Sequence, residues 1–233
     1  MNATLLAHCG TNKVDRQFLE QIETPPATDT FQPIAHSVLV NAVEESLAFR
    51  HISIEKSEFA VSQDGMKMFG LLEVNQVYEG VNFAIGLRNA NDKSMRLGMV
   101  AGYRVFVCDN MSFSGDFKPL LAKHTKNLDL IESVSIGIDR IQRGWQPLRE
   151  AIDYKRATYI DPDDAKVLIY NAFAHRQLPI SLFREVSQEF GITPESTLWS
   201  LENNFTESFK KLKPIAQFKA AAKLPALLDF QLA

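Results

Sequence analysis

Strict alternation of apolar and other residues marks the middle of the chain. Val81, Phe83, Ile85 and Leu87 are apolar, and Asn82, Ala84, Gly86 and Arg88 fall between them. This is the two-residue period of a strand with one oily face. The pattern resumes after a polar loop, with Met95, Leu97, Met99, Ala101, Tyr103, Val105 and Val107 set against Arg96, Gly98, Val100, Gly102, Arg104, Phe106 and Cys108. Upstream, Ile52 and Ile54, then Phe59 and Val61 after a phase slip, lead to Asp64-Gly65, and Met66, Met68, Leu72 and Val74 return. Asp-Gly between alternating runs predicts a tight hairpin with positive φ at both turn residues. Together these runs predict a four-stranded antiparallel meander.

Helical periods flank it. Pro33 suits a first helical turn, and Ile34, Val38, Ala42 and Leu47 follow at helical spacing. Beyond Gly115, apolar positions from Phe117 through Leu121, His124, Leu128, Ile131, Val134, Ile138, Ile141, Trp145 and Leu148 to Ile152 recur every three or four residues. That spacing predicts one long amphipathic helix, bent near Gly144 and Pro147. Further helices are expected from Asp161-Pro162 to about Ala174, from Pro179 to Phe190, and from Thr193-Pro194 with Thr193 as N-cap. The stretch ETPPATDTFQP at 23–33 reads as a linker. The expected organisation is an arm and linker over 1–33, an α+β core over 34–156 and an all-helical region over 157–233. The odd-numbered face of the strands should lie on the long helix, since each has one apolar side to bury.

That packing leaves a face of Arg88, Arg96 and Arg104 among Asn82, Ala84, Gly86, Gly98 and Gly102. Glycine weakens a strand, and one use for it is close approach of a backbone or a phosphate. A C-terminal helix lying on the face would use the glycines equally well. The loop Arg88–Ser94 concentrates hydrogen-bonding groups on a rigid scaffold, or is a solvated hairpin loop. Lys210 and Lys211 open a basic tail with Phe209 and Phe218 nearby. Backbone charge with aromatic surfaces is what single-stranded DNA requires. The candidate nucleic-acid-binding residues are therefore Arg88, Asn89, Lys93, Arg96, Tyr103, Arg104, Lys210 and Lys211, with Phe106 as a further aromatic.

Composition narrows the class. The chain has 233 residues, 45% hydrophobic, with a formal net charge of −3, ordinary for a globular protein. No apolar run approaches the roughly 20 residues of a membrane-spanning helix, and MNATLLAHCG lacks a basic signal-peptide region. Two cysteines, Cys9 and Cys108, form no disulfide framework, so a cytoplasmic protein with no membrane partner is expected. Charge is uneven: −6 over 1–87, +3 over 88–150, −3 over 151–204 and +3 over 205–233. Clustered cations, rather than net charge, are what a phosphate backbone needs. No phosphate-binding glycine loop, HExxH or CxxC occurs, so no metal or cofactor is expected. Asp161-Pro162-Asp163-Asp164-Ala165-Lys166 contains pieces of a nuclease motif, but contiguous, as in a capped helix start.

The stretch FAIGLRNANDKSMRLGMVAGYRVFVCDNMSFSG, Phe83 to Gly115, resembles the central motif of the phage/plasmid-like proteins, a family of unknown function. Ala90 stands where that family usually has Ser. Leu198-Trp199-Ser200-Leu201-Glu202-Asn203-Asn204-Phe205-Thr206-Glu207 is similar to the family's W-x-x-x-N-x-x-T-E element. The resemblance implies a mobile-element context and no reaction. The order of helix, meander and long helix is also similar, at the level of architecture, to single-strand-annealing recombinases. The expected function is non-catalytic single-stranded DNA binding or annealing in replication or recombination, by a homo-oligomer. The alternatives are an antagonist of a host defence protein, using the acidic N-terminal part, and a metal-dependent nuclease using Asp163 and Asp164.

Overall fold

A computed structural model describes residues 12–105, 110–113, 119–174, 178–189, 191, 193, 195–212 and 214–228. The chain is α+β, with an antiparallel sheet of six strands in sequence order where the alternation predicted four. β1 (Asn12–Val14), β2 (Ile54–Val61), β3 (Lys67–Tyr78), β4 (Val81–Ala90), β5 (Leu97–Val105) and β6 (Asn110–Phe113) pair each with the next. A seventh, β7 (Leu120–Ala122), shares the free edge of β5 with β6: it pairs with Leu97–Met99, and β6 with Gly102–Val105. The extra strands are only three or four residues long, too short for alternation to declare itself.

Seven α-helices are described: α1 (Phe18–Gln21), α2 (His36–Phe49), α3 (Leu130–Ala157), α4 (Pro162–Ala174), α5 (Phe183–Glu189), α6 (Leu198–Phe209) and α7 (Pro214–Leu228). None is long and apolar enough to cross a membrane. Part of the expected arm is built into the fold, since β1 joins the sheet and Leu19 of α1 is buried in the core.

The odd face of β4 and β5 packs as the alternation requires. Val81, Phe83, Ile85, Leu87, Leu97, Met99 and Ala101 share one core with Val134, Ile138, Ile141, Trp145 and Ile152 of α3, and with Leu39, Val40, Val43 and Leu47 of α2. Phe83 stacks on Trp145 with ring centroids 6.0 Å apart. Gly137 lets α3 lie close to the sheet, because a Cβ there would sit 3.3 Å from both Leu120 Cβ and Met99 Cε.

Three helix starts differ from expectation. α2 begins at His36, not at Pro33, because the Ile34 backbone is bonded to Asn89 and Asn91. The long helix begins at Leu130, capped by Asp129 accepting from the Glu132 N–H, and not near Phe117. Residues 120–122 are drawn into the sheet edge instead, and 123–129 form the connection. The helix continues through Pro147 to Ala157. Thr193 opens a turn, with the Ser196 N–H donating to its carbonyl; Pro194 lies outside the described residues. The helix starts at Leu198, where Thr197 and Ser200 form a reciprocal capping box. At Asp64-Gly65 only Gly65 has positive φ, +68°. Asp64 keeps negative φ because its carboxylate accepts from Ser62 Oγ and the Met66 N–H.

Helices α4 to α7 enclose a second core around Leu168, Phe173, Leu201, Phe205 and Phe209. It meets the first through Trp199, which packs against the sheet core, and through Lys155 Nζ, 2.9 Å from Glu202 Oε2.

Candidate nucleic-acid interface

The Arg88–Ser94 segment comprises the last residues of β4 and the start of the turn to β5, and its two asparagines turn inward. Asn89 is fully buried. Its Nδ2 donates to the Ile34 carbonyl at 2.7 Å and to His36 Nδ1 at 2.9 Å, while its Oδ1 accepts from His124 Nε2 at 2.7 Å. His36 Nε2 donates in turn to the Gly65 carbonyl at 2.8 Å. Asn91 accepts from the Ile34 N–H at 3.1 Å and donates to the Ile34 carbonyl at 3.0 Å, treating that residue as a neighbouring strand would. The Gln32 N–H donates to the His124 carbonyl at 3.1 Å. These bonds clasp the 31–36 segment, the β2–β3 turn, the β4–β5 loop and the β7–α3 connection into one end of the sheet.

The clasp fixes proton positions. His36 accepts at Nδ1, so its single proton must lie on Nε2, and protonating Nδ1 would aim an N–H at the Asn89 amide. Burial pushes the His36 imidazole below its ordinary value of 6.5, partly offset by the Gly65 carbonyl. Burial, then the neighbouring His36, push His124 down as well. Below about pH 6.5 the unfolded chain binds protons that the folded chain refuses, so stability falls with pH by up to about 1.4 kcal/mol per unit for each histidine. Asp64 and Asp92 are held below the usual carboxylate value. Their contribution is present above about pH 4 and is lost only in stronger acid. Melting temperature should therefore drop between pH 7.5 and 5.5; a flat profile across that window contradicts the assigned clasp.

Around the clasp, cationic side chains lie near two exposed carboxylates, Asp64 and Asp92. Arg96 and Lys123 are exposed and take the next opposing positions beyond the Leu97–Ala122 pair of β5 and β7. Lys126 is exposed in the turn that follows. Lys93, exposed and at φ +65°, holds its ammonium 5.2 Å from the centre of the Phe31 ring. Lys67 pairs with Asp92 at 3.1 Å. Arg88 is half-buried, and burial alone lowers its pKa. Its side chain lies across Gly98, where a Cβ would meet Arg88 Nε at 3.0 Å. The glycine thus admits a neighbouring arginine of the same chain.

Among the described residues, the sheet face opposite the core is partly covered and not the fully open surface that its glycines and arginines suggested. Ala84, Gly98 and Gly102 are buried on it, as are Leu71, Glu58 and Glu73. Lys13 and Lys56 close over Glu58; burial would raise that carboxyl, but the two ammonium groups outweigh it and hold it low. Among the described arginines of the candidate face, Arg88 is half-buried and Arg96, at the sheet's end, is exposed.

The candidate residues therefore separate. Arg88, Lys93 and Arg96 gather at the clasp end. Asn89 belongs to the clasp itself, with no surface to offer a ligand, because all its hydrogen-bonding capacity named above is directed inward. Tyr103 and Arg104 lie further along β5, their side chains outside the described residues, as is Phe106. Lys210 pairs with Glu207 at 2.6 Å and Lys211 with Glu185, both on the second core. That core packs against β6, which pairs with the other end of β5. Reading from sequence missed Lys123 and Lys126, which it placed on a helix, and Phe31, which it placed in a linker.

At the nuclease-like segment, Asp161 Oδ1 accepts from the N–H groups of Asp163 and Asp164 at 2.8 and 2.9 Å. Those bonds, led by that from Asp164, hold its carboxyl below the usual range. Asp163 pairs with Lys166 at 3.0 Å. Among the described residues no group of three His, Cys, Asp or Glu is placed to hold a metal ion. Comparison with known proteins adds nothing to this geometry: no family model, no curated protein and no solved structure matches the chain.

Proposed function

We propose that the chain binds nucleic acid without catalysis, through the clasp end of its sheet. The observation that carries this reading is the gathering of Arg88, Lys93, Arg96, Lys123 and Lys126 from two separate segments, 88–96 and 123–126, onto one hydrogen-bonded frame. A polyanion draws its affinity from clustered cations and from the counterions they release, and a rigid frame lowers the entropy lost on binding. The resemblance to phage/plasmid-like proteins supports a setting in which replication and recombination expose single-stranded DNA. Binding is then expected to depend on the clasp end and not on the paired lysines of the second core. Arg96→Ala with Lys123→Ala should weaken binding of a labelled single-stranded oligonucleotide by about tenfold or more at low salt, measured by fluorescence anisotropy. Lys210→Ala with Lys211→Ala should change it little. Equal loss in both double variants, or none in either, rejects the assignment.

A further inference from the structure

We infer that Phe31 is a stacking platform for an unpaired base, so that the interface takes single strands in preference to duplex. The inference rests on the binding proposal above and adds the chemistry that selects the strand form. Phe31 is half-buried. One side of its ring meets His124, with centroids 5.3 Å apart and planes at 34°. Over the ring stands Lys93 Nζ, 5.2 Å from its centre. Lys93 is exposed, so nothing buried is lost if its ammonium leaves for a phosphate and uncovers the ring. The backbone at Phe31 is already set: its carbonyl accepts from the Thr28 N–H at 2.9 Å, and the adjoining Gln32 N–H is tied to His124. A ring held this way needs no further ordering to receive a base.

The surroundings fit a nucleotide. Lys93 lies over the ring, and Lys123 precedes His124, which also meets the ring, while Arg96 and Lys123 each flank the last register pair of β5 and β7, Leu97 with Ala122. An aromatic face with cations at its margin offers stacking to the base and charge to the flanking phosphates. Bases inside a duplex have both faces covered by neighbours, whereas an unpaired base presents one.

The test compares oligo(dT) with an abasic oligonucleotide of equal length, which carries the same phosphates and no bases. The wild-type chain should bind oligo(dT) about tenfold more tightly than the abasic strand. Phe31→Leu, which keeps an apolar side chain against His124, should abolish that preference while leaving abasic binding unchanged, and Phe31→Tyr should retain it. Equal binding of the two strands by the wild type, or a preference that survives in Phe31→Leu, overturns the inference and leaves the phosphate-binding proposal standing. Failure of the wild type to bind either strand removes both. Should Phe31→Leu fail to fold, the wild-type comparison still decides.

Discussion

Asn89→Ala is expected to lower the unfolding free energy by about 3–5 kcal/mol, a loss seldom seen for one amide side chain. The reason lies in what remains behind. Asn89 has no exposed surface, and its removal strands His36 Nδ1 and the Nε2–H of His124 while taking one of two side-chain donors from the Ile34 carbonyl. Each buried group left without its partner costs about 1–3 kcal/mol. In a chain of this size the loss should appear as a melting temperature lower by roughly 10 °C. Asn89→Asp gives a sharper signature. A carboxylate still accepts from His124 but cannot donate to His36, so it draws a proton onto His36 Nδ1 and raises that folded-state pKa. The added stability is then present below about pH 6.5 and is lost as pH rises, the reverse of the wild type. Thermal unfolding at pH 8 and pH 6 checks both variants. Melting of Asn89→Ala within about 2 °C of the wild type would refute the clasp as a load on stability.

Glu202→Leu should be comparably damaging, at about 3–5 kcal/mol. The Lys155–Glu202 pair lies between the two cores, with side chains only 10% and 2% exposed. Replacing Glu202 deprives a buried ammonium of its counter-charge, which costs far more than the intact pair contributes. Arg156 reinforces the junction, with its guanidinium 4.9 Å from the centre of the Trp199 ring and an ion pair to Glu79 at 2.7 Å. Lys155→Met in the Glu202→Leu background should restore most of the stability, because two apolar side chains can fill the same space. Chemical denaturation of the two single variants and the double variant measures the coupling. If the double variant is no more stable than Glu202→Leu, the ion pair is not what the junction depends on.

The strands that bury one face were legible in the sequence because the core writes a two-residue period onto Val81–Leu87 and Leu97–Ala101. The start of α3 was not. Leu120 and His124 are buried for other reasons, one at the sheet edge and one in the clasp, and with Leu121 and Leu128 they imitate a helical stripe. Thr193 and Thr197 are equally good caps by residue type. Thr197 prevails because Ser200 completes its box and because the bridge between Tyr159 and Thr197 fixes it against the segment before α4.

The candidate site was legible in its charge and illegible in its assembly. Arg88, Lys93 and Arg96 stand close in sequence, so their grouping could be read directly. Asn89 looked like a loop residue because its partners, Ile34, His36 and His124, lie 55, 53 and 35 residues away. Lys123 is brought to the end of the sheet where Arg96 stands only through the pairing of β7 with β5, a short register that ends at Leu97 and Ala122. Phe31 carried one local signal, an aromatic side chain in an otherwise polar, proline-rich stretch.

The salt dependence of oligonucleotide binding decides whether the clasp end holds phosphates. If Arg88, Lys93, Arg96, Lys123 and Lys126 form a phosphate-binding end, the logarithm of the single-strand association constant should fall linearly with the logarithm of salt concentration, with a slope of about −3.5 when all five are engaged. Arg96→Ala with Lys123→Ala should then make that slope shallower by about 1.4, at about 0.7 per phosphate contact. Binding insensitive to salt, or an unchanged slope in the double variant, would mean that these cations do not hold the strand.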